Sequence, residues 1–147
     1  MITISVNLQD RRESKVEFDN NYFKIHDDAI NLIKNNFGAK KDIADNYKYY
    51  IGVMANKILN DVMDLGTYIR IANSIYPRCM SEYEERRTYQ SKAIGLCFDL
   101  LTKYQLTMHQ LKVKDDKFVE EAKHVTHEIN CLKKWRESDV KRFKNLG

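Results

Sequence analysis

Breakers and cross-links are scarce in this chain. One proline and five glycines in 147 residues supply too few turn formers for the repeated reversals of an all-β fold, and so favour long helices. No apolar run approaches the roughly 20 residues that a membrane-spanning helix needs. The first residues also lack the basic segment and apolar stretch of a secretory leader. Three cysteines, Cys79, Cys97 and Cys131, are odd in number and far apart. That pattern suits neither a disulfide framework nor paired zinc ligands, and the expectation is reduced thiols in the cytoplasm. Glycine-rich phosphate loops and nucleophile elbows are missing too.

What the chain does have is helical periodicity. With 43% hydrophobic and 31% charged residues it reads as one globular domain that can bury a core. At the N-terminus, Ile2, Ile4, Val6 and Leu8 alternate with Thr3, Ser5 and Asn7, a period of two that suits a strand or arm. Residues 1–18 are therefore expected as a flexible or extended N-terminal arm, and 19–147 as a bundle. Asp19 or Asn20 can cap a first helix in which Tyr22, Ile25, Ala29, Ile33 and Phe37 recur, with Gly38 stopping it.

A second helix runs from about Asp42 to Ile75. Its seam is Ile51, Ile58, Leu65 and Ala72, interleaved with Ala55, Val62, Ile69 and Tyr76, and Pro77 closes it. Ser81 and Glu84 form a capping box for the third helix, whose expected inner columns are Ile94, Leu101, Met108 and Cys97, Tyr104, Leu111. Asp115 can cap a fourth, lined by Phe118, Val125, Leu132 and by Ala122, Ile129. Gly66 and Gly95 lie inside two of these helices, where close backbone approach or chance can account for them. Together these patterns predict an all-α, up-and-down antiparallel four-helix bundle.

Charge is distributed unevenly. Residues 133–147 hold six basic side chains, Lys133, Lys134, Arg136, Lys141, Arg142 and Lys144, against Glu137 and Asp139; the rest of the chain is neutral overall. A basic surplus gathered at one end is the footprint of a polyanion partner, and Trp135 adds a stacking face. The competing reading is a solvated helix end whose cations suit the dipole. Extending the helix-four columns reaches Arg136, Asp139 and Phe143, so the seam turns polar there. The end of helix four is accordingly expected to leave the bundle or meet a partner. A second basic group, Arg78, Arg86, Arg87 and Lys92, surrounds the turn before helix three, interleaved with Glu82, Glu84 and Glu85. The two groups are expected at opposite ends of the bundle unless a neighbouring subunit joins them.

Catalytic chemistry finds little support. Glu121-Ala122-Lys123-His124 supplies one Glu-x-x-His motif, but His26 and His109 lack the upstream glutamate that a second would need for a di-iron site. His124 and His127 beside Glu121 and Glu128 are read as a solvated flank. No histidine follows an arginine at the spacing of helical RNA-cleaving domains. The expectation is a protein that is not an enzyme and has no metal and no cofactor.

The stretch Ile75-Tyr76-Pro77-Arg78, the run Arg86-Arg87-Thr88-Tyr89-Gln90-Ser91-Lys92-Ala93-Ile94, and the run Ile129-Asn130-Cys131-Leu132-Lys133-Lys134-Trp135-Arg136-Glu137-Ser138-Asp139 carry a resemblance. They resemble the accessory variability determinant proteins of diversity-generating retroelements, bundle proteins similar in fold to those encoded in intervening sequences of bacterial 23S ribosomal RNA genes. The resemblance implies a positively charged, barrel-like homopentamer without catalysis. Such a protein binds a reverse transcriptase and its template RNA, supporting error-prone cDNA synthesis and mutagenic retrohoming. The positions it marks are Arg78, Arg86, Arg87, Lys92, Lys133, Lys134 and Arg136. A net charge of +4 is modest for that role. The alternative is a structural or regulatory bundle whose partner is protein alone.

Overall fold

The computed structural model describes residues 8–36, 45–111 and 116–146, with side chains for 21–35 in the first stretch and from 48 in the second. Four α-helices make up the fold: α1 Leu8–Asn36, α2 Asp45–Ser74, α3 Met80–Leu111 and α4 Asp116–Arg142. No strand occurs among the described residues. The first helix begins at Leu8, well before the cap expected at Asp19 or Asn20, so residues 8–18 are helix rather than arm. The rest of that arm, together with Phe37, Gly38, Asp42 and Asp115, lies outside the described residues.

Contacts run around a ring: α1 with α2, α2 with α3, α3 with α4, and α4 back to α1. Neighbours are antiparallel. Along α3, Arg86 meets Asp139 and Tyr104 meets Glu121, so numbering rises on one helix as it falls on the other. Between α2 and α3, Lys103 meets Asp61 while Arg86 reaches the carbonyls of Ala72 and Ile75. Asn21 bonds the His124 carbonyl and His124 bonds Asp28, tying α1 to α4.

The core follows heptads because helices crossing at a small angle keep one seam in contact over many turns. On α2 the expected column Ile51, Ile58, Leu65 and Ala72 is buried, with Val62 and Ile69 beside it. Met54 takes the place given to Ala55, and Tyr76 is 57% exposed beyond the helix end. On α3 one expected column holds through Cys97 and Tyr104; of the other, Ile94 is buried but the rest is displaced. Arg86, Ala93, Leu100 and Thr107 are buried, whereas Leu101, Met108 and Leu111 are only half-buried. Leu100 is fully buried where Leu101 was expected to be.

Start signals for α3 also differ from expectation. The helix begins one residue before Ser81, and Glu82 rather than Glu84 accepts the Arg78 backbone N–H at 2.9 Å. Gly66 does mark a close approach: the Tyr22 ring lies over it, and a Cβ there would sit 2.6 Å from Tyr22 Cζ. Tyr22 is fixed by its hydroxyl donating to the Val62 carbonyl at 2.9 Å. Gly95 faces open space. No disulfide joins the three cysteines, and among the described residues no helix is long and apolar enough to cross a membrane.

Candidate nucleic-acid interface

The two basic groups meet at one end of the bundle. In an up-and-down topology the start of α3 and the end of α4 are neighbours within a single chain, so the expected separation is corrected. Arg86 on α3 and Asp139 on α4 form a bidentate pair, Nε to Oδ2 at 2.6 Å and Nη2 to Oδ1 at 3.1 Å. Gln90 Nε2 donates to the same carboxylate at 2.8 Å. Arg86 Nη1 donates to the Ile75 carbonyl at 2.9 Å, just past the end of α2. Its guanidinium lies 5.0 Å from the Trp135 ring centre and 5.7 Å from that of Phe143. One side chain thereby joins the last turn of α2, the first turns of α3 and the last turns of α4.

This node overturns three expectations. Arg86 is 4% exposed and Trp135 7%, so neither offers a face to a partner; both are core. Asp139 at 1% and Phe143 at 6% keep the end of α4 in the bundle rather than releasing it. The seam does turn polar, but Arg86 is the partner of Asp139 from within the chain. Phe143 packs edge-on against Tyr76, with ring centres 5.7 Å apart, and against Tyr83, which seals that end.

The remaining cations are at the surface. Arg78, Lys92, Lys133, Lys134, Lys141, Arg142 and Lys144 are exposed, and Arg87 and Arg136 half-buried. Two contacts trace the α3–α4 groove: Lys133 Nζ lies 5.5 Å from the Phe98 ring centre, and Arg136 Nη1 donates to Ser91 Oγ at 3.0 Å. Arg87 lies one turn before Ser91, its guanidinium 3.4 Å from the Tyr83 hydroxyl. An open depression lined by Glu84, Arg87, Thr88, Ser91 and Lys92 adjoins it. Lys92 turns toward α2, over Tyr68 and Tyr89 at 5.7 and 5.2 Å. Arg142 stays within 3.7 Å of Asp139 and stacks on Phe143. Cations beside aromatic faces can hold phosphate and base together, though Glu84, Glu85 and Glu137 dilute the field.

Several buried polar groups went unread in the sequence. Glu121 and Glu128, expected on a solvated flank, are 0% exposed. They share a heptad column with Trp135, which is the sequence signal that could have found them. Ala122 is more apolar and drew attention one residue away from Glu121, while Ile129 beside Glu128 is itself buried at 4%. Tyr104 donates to Glu121 Oε2 at 3.0 Å, and Asn21 Nδ2 to Glu128 Oε1 at 3.3 Å. Burial, with Asp28 adding to it and the Tyr104 hydrogen bond opposing, pushes the Glu121 carboxyl up to about 8. Burial and the neighbouring Glu121 charge likewise raise the Tyr104 hydroxyl. Between α2 and α3, Lys103 bridges Asp61 and Asp99. Burial and the adjacent Asp99 raise Asp61 to about 6, while its bonds to Asp61 and Lys103 lower Asp99.

Compared with family models, curated proteins and solved structures, the chain matches none.

Proposed function

We propose that the chain is a non-catalytic, nucleic-acid-binding accessory protein that partners a retroelement reverse transcriptase in the cytoplasm, binding polymerase and template RNA to support mutagenic cDNA synthesis and retrohoming. The observation that carries the binding reading is the set of exposed or half-exposed cations along α3 and α4. Arg87, Lys133 and Arg136 lie along one groove there, and Phe98 beside them is 47% exposed. The retroelement itself rests on the resemblance of the runs ending at Ile94 and Asp139. Assembly as a homopentamer, which the same resemblance implies, would repeat a modest monomer charge around a ring and let weak phosphate contacts add.

A second reading has its own support. Tyr76, Phe98 and Val140 are large apolar side chains exposed by 57%, 47% and 46% close to these cations, which suits a protein-only partner. Salt separates the two. Phosphate-driven binding falls steeply as salt rises, with a logarithmic slope of about 0.7 per neutralised phosphate on single strands; an apolar protein interface barely responds.

The test is the solution mass of the protein with and without a structured RNA, at low and physiological salt. A ring that takes up RNA and releases it with salt supports the proposal. A protein indifferent to RNA at low salt overturns it. The triple reversal Lys133→Glu, Lys134→Glu, Arg136→Glu is expected to abolish RNA or polymerase binding at unchanged helicity. Retained binding to both removes this surface from the reading.

A further inference from the structure

Asp28 on α1 and Glu121 and His124 on α4 bring three metal-ligating side chains together, with one donor atom from each within 4.8 Å of the others. His124 Nδ1 is 3.0 Å from Asp28 Oδ2 and 3.9 Å from Glu121 Oε1. Donors held about 2.0–2.1 Å from a tetrahedral ion lie about 3.3 Å apart, so only small side-chain shifts separate this triangle from a coordination set. Glu121 supplies an independent sign. Its Oε1 is fully buried without a hydrogen-bond partner, at a distance from His124 too long for a hydrogen bond. A buried carboxyl oxygen left unsatisfied costs stability unless something binds it.

The support around the triangle is that of a ligand set. Tyr104 holds the other oxygen of Glu121 from α3, fixing the carboxylate's orientation, while Asn21 holds the backbone of His124. Outer partners of this kind orient metal ligands. Asp28 and His124 are partly open, with side chains 40% and 32% exposed, which gives an ion a way in. Two carboxylates and an imidazole suit a borderline or hard divalent ion rather than a thiophilic one.

The geometry points to a binding site for one divalent transition-metal ion, of the zinc or manganese class, held by Asp28, Glu121 and His124 and bracing α1 against α4. The Glu-x-x-His spacing on α4 puts two ligands on one helix face; only folding adds the third from α1. The site is independent of the basic surface and of its proposed role.

The test uses the full chain stripped with a chelator and titrated with Co2+ and then Zn2+. One equivalent is expected to bind, with a melting temperature that climbs with free metal, as linkage requires. The Co2+ spectrum should lack a thiolate charge-transfer band. Glu121→Gln and His124→Gln are expected to weaken binding at least tenfold, and Tyr104→Phe by roughly 10–100-fold, each with unchanged helicity by circular dichroism. His124 is partly exposed, so its variant carries the test should Glu121→Gln fail to fold. His127→Ala should bind normally. Absence of binding at millimolar metal overturns the site. So does a thiolate band, or loss in His127→Ala, because Cys131 Sγ and His127 Nε2 lie 3.6 Å apart and offer the competing pair.

Discussion

Replacing Asp139 by asparagine removes one charge and almost no volume. What remains is the Arg86 guanidinium, whose side chain is 5% exposed, with backbone carbonyls at 2.9 and 3.5 Å and two aromatic faces but no anion. Breaking a buried pair by removing one partner typically costs about 3–5 kcal/mol, because the surviving charge stays desolvated and uncompensated. Arg86 keeps two carbonyl acceptors, which argues for the lower half of that range. On a chain of this size about 3 kcal/mol lowers the melting temperature by roughly 6–12 °C. Arg86→Met should cost a similar amount by stranding Asp139, for which the partly exposed Arg142 at 3.7 Å is a poor substitute. The double variant Arg86→Met, Asp139→Leu is expected to regain most of the loss, since well-packed apolar replacements of buried pairs are often neutral. Urea denaturation followed by far-ultraviolet circular dichroism measures all three, and the cycle gives the coupling. Single variants that each cost under about 1 kcal/mol would show that water reaches Arg86 and refute its burial.

Three other outcomes follow from the packing. Leu100→Ala should lose about 2–5 kcal/mol and half-buried Leu101→Ala clearly less; the reverse order in denaturant would rotate the inner face of α3. Gly95→Ala should gain about 1 kcal/mol of helix propensity, whereas Gly66→Ala should lose stability because Tyr22 must leave its bond to Val62; equal gains in thermal melts would refute the close approach. Carboxyl resonances should show Asp61 titrating at about 6 rather than near 3.8. Its raised native value makes its contribution to stability present below 3.8 and lost as pH rises through about 6. Asp99, held low, acts oppositely, its contribution being lost as pH falls below its ordinary value. Lys103→Met should move Asp61 higher still, and an Asp61 midpoint near 4 would remove it from the low-dielectric α2–α3 seam.

Most of α2 was legible because its heptad columns hold only apolar residues where they face inward. On α3 and α4 the inner face was legible only in part. Ile94, Cys97 and Tyr104 on α3 and Phe118, Val125, Ile129 and Leu132 on α4 are buried as expected, while Leu101, Met108 and Ala122 miss the inner face by one position. There the inward columns include Arg86, Gln90, Glu121, Glu128 and Asp139, which a search for apolar periodicity passes over. Leu101 and Ala122, one residue away, fit the apolar pattern better. Arg86 and Trp135 were misassigned to the surface for a related reason: each looks like part of a binding patch until Asp139 and Phe143 are seen beside it. The early start of α1 was hidden by a local alternation, Ile2 to Leu8, that favours strand.

The sequence by itself determined the helical class, the number of helices and the seam of α2, because scarce breakers and heptad spacing are local properties. It also determined that the basic surplus belongs to the end of α4. Which charges are free to meet a partner was decided only by the tertiary structure. Antiparallel packing set residues 53 positions apart in contact, burying Arg86 on Asp139, and it gathered Asp28, Glu121 and His124 from two helices. Pairing of buried charges depends on distance in space and on desolvation, and neither is written in the spacing along the chain.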